Sequence, residues 1–160
     1  MMRKTGGFTL VELLVVIGIM MVLTTITVSQ FTTARLRAAD VQRKADLTSL
    51  SRALLAYFND FGSFPSSITF GGTLVNETDG YVYMKVLPRE NYQTRGVPEY
   101  CYVVDVNRVR FALFAKLEVS SDPDCVAPVY EHSGNEYCYA VVSPNAAASD
   151  FNGLDCTSGG

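Results

Sequence analysis

From Phe8 to Ala34 the chain is almost continuously apolar, carried by Leu10-Val11, Leu13-Leu14-Val15-Val16-Ile17 and Met20-Met21-Val22-Leu23. Glu12 is the single charge in this stretch, and the next does not come until Arg35. At about 1.5 Å per residue, a helix of this length crosses a bilayer. A carboxylate inside such a run is costly, so it is a functional candidate from the outset. Thr24, Thr25, Thr27, Ser29, Thr32 and Thr33 then dilute the apolar run with weaker helix formers, which marks this end as the place where the helix loosens. Beyond Arg35 the pattern changes period. At 100° per residue Leu36, Leu47, Leu50, Leu54, Tyr57 and Phe61 fall on one face, with Arg37, Lys44 and Arg52 off it and Arg43 on it. The spacing predicts one long helix over 8–61, membrane-compatible in its first half and amphipathic in its second. Gly62 is a suitable C-terminal cap, and Phe64-Pro65 prevents continuation.

The rest of the chain changes period again. Residues 66–98 form a connecting region with turn signals at Gly71-Gly72 and Asp79-Gly80 and a short strand or turn over 81–87. Asn76-Glu77-Thr78 has the form of a glycosylation sequon, read here as a chance match. Residues 99–106 and 109–119 are rich in Tyr, Val and other apolar residues and are separated by Asn107-Arg108, which predicts a hairpin; 137–142 predicts a third strand. Glu99-Tyr100-Cys101-Tyr102-Val103-Val104 and Glu136-Tyr137-Cys138-Tyr139-Ala140-Val141-Val142 echo each other, which suggests two strands in similar surroundings. From Ser143 on, the chain reads as loop. The expected fold is α+β: a long N-terminal helix packed against a small antiparallel β-sheet head.

Cysteine usage and charge bear on compartment. Cys101, Cys125, Cys138 and Cys156 all lie in the head, and an even count in a small exported domain predicts disulfides. If 99–106 pairs with 109–118, the second strand returns beside Cys101. This favours Cys101–Cys125 with Cys138–Cys156 among the three possible connectivities. The count of basic residues does not fix orientation: Arg3 and Lys4 stand before the apolar run, Arg35, Arg37, Arg43 and Lys44 after it. The cysteines place the head outside the cytoplasm. A formal charge of -3 gives no basic surface for nucleic acid.

The N-terminus carries a resemblance. A short leader, residues 1–7, bears Arg3 and Lys4 and ends in Gly6-Gly7, followed by Phe8-Thr9-Leu10-Val11-Glu12-Leu13. This resembles the class III signal of type IV pilins and of type II secretion pseudopilins. An ordinary secretory signal has its small residues after the apolar region, whereas here they precede it. The resemblance implies cleavage between Gly7 and Phe8 by a prepilin peptidase, N-methylation of Phe8, and a role in filament assembly for Glu12, the fifth residue after the cut. It also implies the organisation: leader 1–7, transmembrane and assembly half 8–34, amphipathic half 35–61, and a loop-rich, disulfide-bonded head 62–160. One departure is Ser29, where the family often has proline. The ending Tyr57 to Pro65 and the word Ala115-Lys116-Leu117-Glu118 are further, weaker similarities.

The implied function is a structural subunit of an extracellular or periplasmic type IV filament. The alternatives are a major pseudopilin of a type II secretion system and a minor tip pilin with an adhesin or DNA-uptake role. The implied partners are other copies of the chain, the prepilin peptidase, an inner-membrane assembly platform, and lipid before assembly. The precursor is expected in the cytoplasmic membrane and the mature subunit in a filament. No enzymatic constellation stands out: His132 is the only histidine, beside Glu131, and phosphate-loop, dinucleotide and zinc spacings are missing. No cofactor is expected. Calcium is the open case. Some pseudopilins bind it near the C-terminus, and Asp150, Asn152 and Asp155 are candidate oxygen ligands, as are Asp122 and Asp124; otherwise these are solvated turn acids.

Overall fold

The computed structural model describes residues 7–76, 79–90, 97–119, 121–125 and 129–159, without the side chains of 26–29 and 158–159. The leader up to Gly6 therefore lies outside the described residues, as do the Ser29 side chain and Glu77-Thr78 of the sequon; Asn76 itself is buried. The architecture is one long helix, α1 (Leu10–Phe61), followed by small, mostly antiparallel sheets. The chain divides into two compact units, Met1–Ala38 and Ala39–Gly160, and α1 contributes to both.

In the first unit the helix is exposed over residues 10–25. Leu10, Leu14, Met21 and their apolar neighbours are all exposed. Mean hydropathy reaches 2.4 in its most apolar window, so the helix is long and apolar enough to cross a membrane. The threonine-rich end stays helical. Thr24 donates its hydroxyl to the Met20 carbonyl at 2.7 Å and Thr25 to that of Val22 at 2.7 Å. Hydroxyls bonded back to their own helix present no unpaired group to an apolar medium.

In the second unit α1 packs against sheet. Leu47, Leu50 and Leu54 are fully buried, as the periodicity predicts. At the end of α1 Gly62 adopts φ 67° and donates its N–H to the Phe58 carbonyl at 2.7 Å. This left-handed cap is a conformation that costs glycine little. The central sheet has β4 (Cys101–Val104), β5 (Phe111–Ala115) and β8 (Tyr139–Val142), antiparallel with β5 in the middle. All five residues of β5 are buried, because alternate side chains feed two cores. Phe111, Leu113 and Ala115 meet Leu47, Leu50 and Leu54 in one core; Ala112 and Phe114 join Tyr130, Tyr137 and Phe151 in the other. The two echoing words thus supply the strands on either side of β5, although the second is interrupted at Cys138. The β4–β5 turn is made by Asp105, whose carboxylate accepts from the N–H groups of Val109 and Arg110 at 2.8 and 2.9 Å.

Several elements were not expected. The connecting region contains β1 (Ile68–Thr69) and β2 (Leu74–Val75), and β2 pairs antiparallel with β3 (Val82–Met84), which falls within the short strand or turn expected over 81–87. His132 lies in a hairpin of β6 (Tyr130–His132) and β7 (Asn135–Tyr137). It turns at Ser133 and Gly134, both with positive φ, as a two-residue turn matched to strand twist demands. The tail beyond Ser143 is not wholly loop: it has a 3₁₀ turn at Ala148–Phe151, and β9 (Ser158–Gly159) runs parallel to β1.

The disulfides are Cys101–Cys156 and Cys125–Cys138, with Cα separations of 5.3 and 4.8 Å. The expected Cys101–Cys125 and Cys138–Cys156 pairing is corrected. The end of β5 does return beside Cys101, which pairs with Phe114, but the chain beyond it is drawn away. The Asp40 carboxylate takes the N–H groups of Glu118 and Val119, and Lys44 takes Asp122 and Asp124. The Lys44 ammonium also lies 5.5 Å from the ring of Tyr139, next to Cys138. Cys125 is thereby brought to Cys138. The tail reaches Cys101 instead, where Thr157 donates its N–H to the Tyr102 carbonyl at 2.7 Å.

The bridges close loops of sequence separation 55 and 13. On loop entropy, Cys101→Ser with Cys156→Ser should cost about 4 kcal/mol and Cys125→Ser with Cys138→Ser about 3 kcal/mol. Urea unfolding of a fragment comprising residues 39–160 would measure both. Equal stability with and without reductant would show that the bridges are not the staples of the head.

Candidate functional site

The N-terminal site is built by the first turn of α1. Gly7 is exposed, with nothing within 4 Å of where a Cβ would sit. Phe8 is 81% exposed. Thr9 caps the helix. Its Oγ1 accepts the Glu12 N–H at 3.2 Å, and the Glu12 carboxylate reaches back to accept the Thr9 N–H at 3.4 Å and the Thr9 hydroxyl at 3.3 Å. This reciprocal capping box satisfies two helix-terminal donors, and the positive end of the helix dipole favours the carboxylate there. The arrangement holds Glu12 at the level of the chain just after Phe8, with the apolar side chains from Leu13 to Leu23 exposed beyond it. Sequence reasoning singled out Glu12 for its charge and missed the local partner, although Thr9-x-x-Glu12 is the pattern that predicts it.

The head contains a second polar cluster. Arg43 sits on the core-facing stripe, as the periodicity indicated, and is 1% exposed. Its Nε meets Glu90 Oε2 at 2.6 Å and its Nη2 meets Glu90 Oε1 at 3.2 Å, a bidentate pair. Its Nη1 also donates to Asp40 and its Nη2 to Glu118. Burial pulls the guanidinium down, but the carboxylates of Glu90, Glu118 and Asp40 outweigh it and hold the group above its ordinary value. One cation thus ties the helix to the loop bearing Glu90 and to the exit of β5.

Of the calcium candidates, Asp122 and Asp124 hold the Lys44 ammonium between them, each at 2.7 Å. Burial opposes the charge on Lys44, but hydrogen bonds to both carboxylates raise it overall, and Asp122 is lowered by the same contact. Asp150 accepts the Ala147 N–H at 3.0 Å and faces Arg110 at 3.3 Å. Asn152 is exposed, and Asp155 is 93% exposed, 3.5 Å from His132. Among the described residues no three His, Cys, Asp or Glu side chains are grouped to hold a metal ion.

The family model for the prokaryotic N-terminal methylation motif matches residues 2–28. No curated protein and no solved structure matches the chain. The matched stretch takes in the Gly7-Phe8 junction, the Thr9–Glu12 cap and the apolar start of α1, an N-terminus that fits membrane anchoring before processing by a prepilin peptidase. The chain carries the class III methylation signal characteristic of type IV pilins and pseudopilins.

Proposed function

We propose that this chain is a structural subunit of a type IV filament, extracellular or periplasmic, assembled by helix packing after its leader is removed. The observation that carries the reading is a single carboxylate, Glu12, fixed at the start of a helix whose apolar side chains from Leu13 to Leu23 are exposed. Cleavage between Gly7 and Phe8 creates an amine beside that carboxylate. Glu12 of an incoming subunit then attracts the Phe8 amine of a subunit already in the filament. In an apolar helical bundle the attraction is stronger than in water, but desolvation offsets much of it. Its role is register, and burial of the apolar helices supplies the cohesion. The proposed partners are further copies of the chain, the prepilin peptidase and a membrane assembly platform; no catalytic role is assigned. A secretion pseudopilus would use the same chemistry.

Gly7→Val tests the processing step. Gly7 leaves the junction without a side chain, and Val at this place obstructs entry of an extended segment into a peptidase. Full-length precursor should accumulate on a gel. Mature protein of normal size from this variant would contradict the proposed cut.

A further inference from the structure

We propose that the head carries a binding site for a neutral saccharide, formed by the end of α1 together with the β1 and β2 segments. This inference lies wholly within the head and does not rest on the filament reading.

A cavity of about 210 Å³ opens here. Tyr57, Ser67, Thr69 and Thr73 bring hydroxyl groups to its lining, the buried Leu74 and Leu87 contribute to its wall, and no lining residue is charged. At about 30 Å³ per water it has room for roughly seven, a volume suited to one sugar ring. Ser67, Thr69 and Thr73 are exposed, so their hydroxyls are accessible. Thr73 donates to the Lys85 carbonyl at 2.9 Å, which leaves its oxygen lone pairs to accept.

Tyr57 is also the first of a run of aromatic rings. Its centroid is 4.5 Å from that of Phe61 and 5.3 Å from that of Tyr83, and Tyr83 is 5.0 Å from Tyr81. Tyr81 is 61% exposed. Tyr83 is fixed by donating its hydroxyl to Asp60 at 2.6 Å, and this bond pushes its pKa up to about 12. The hydroxyl-lined pocket is thus continued, through Tyr57 and Tyr83, by a run of rings that ends in the exposed Tyr81. A saccharide has both matching surfaces: hydroxyls that donate and accept, and a face of C–H groups that lies against a ring. An anion would find no cation in the lining, and the nearby carboxylate of Asp60 is already engaged by Tyr83.

The test uses the full chain in micelles of a zwitterionic, sugar-free detergent. Saturation-transfer NMR is run with glucose, galactose, N-acetylglucosamine and lactose at millimolar concentration. Saturation should reach the ring protons of at least one of them. Tyr81→Ala and Ser67→Ala, both at exposed side chains, should each weaken that signal by roughly five- to tenfold, the effect of losing one ring contact or hydrogen bond. Asp150→Asn, outside the cavity lining, should leave it unchanged, and circular dichroism should show all three variants folded. Lack of transfer to every sugar from the wild-type chain would overturn the proposal. So would equal transfer from Tyr81→Ala and Ser67→Ala. If no sugar binds and Tyr81→Ala instead abolishes crosslinking between copies of the chain, the patch is a protein contact and the proposal is wrong.

Discussion

Arg43→Met should destabilise the head by about 3–5 kcal/mol, enough to unfold much of a small domain. Methionine fills much of the volume but leaves Asp40, Glu90 and Glu118 facing one another without their cation. The cost comes less from the lost attraction than from stranding buried carboxylates. Arg43→Lys should also be damaging, because an ammonium cannot hold Glu90 with two parallel hydrogen bonds while reaching Asp40 and Glu118. Adding Glu90→Gln and Glu118→Gln to Arg43→Met should restore part of the loss, since two of the three carboxylates are then neutral and Asp40 keeps the N–H groups of Glu118 and Val119. Urea midpoints for residues 39–160 would show this order. An Arg43→Met midpoint equal to wild type would mean that the network is not what fastens the β5 exit to the helix.

Glu12→Gln is expected to leave export, cleavage and head folding intact while filament yield falls by about tenfold or more, the scale of losing one desolvated charge interaction. The capping box makes this substitution discriminating. Glutamine at the same place still accepts the Thr9 N–H through its side-chain carbonyl, so the start of α1 is preserved. What disappears is the charge proposed to attract the Phe8 amine. The neutral helix enters a membrane at least as easily. Mature protein in the membrane fraction and sheared filaments counted by electron microscopy separate the two steps. Wild-type filament yield would remove Glu12 from the assembly mechanism. Loss of membrane-inserted protein would place its role before assembly.

The features legible in the sequence are those written locally. The apolar run, the stripe through Leu47, Leu50 and Leu54, and the Gly62 stop each depend on residues within a turn or two, and α1 follows them. Asn107-Arg108 marked the β4–β5 turn in the same way. Two local signals were present and overlooked: Ser133-Gly134, which turns β6 into β7, and Thr9-x-x-Glu12. Other features were not written locally. Arg43 meets Glu90 and Glu118 across 47 and 75 residues, and nothing near Arg43 names those partners. The disulfide pairing depends on where Asp40 and Lys44 draw the chain after β5, and on the tail docking at Tyr102. The two-residue β1–β9 pairing is too short to show a period.

The central claim is that the chain is cut after Gly7 and polymerises through the new N-terminus. The most direct measurement is mass spectrometry of the N-terminal peptide of this protein recovered from sheared filaments of cells that express it. The account predicts a peptide beginning at Phe8 and bearing one N-methyl group. A peptide beginning at Met1 or at any residue other than Phe8, or the protein's absence from the sheared filament fraction while its mature form stays in the membrane, would contradict it.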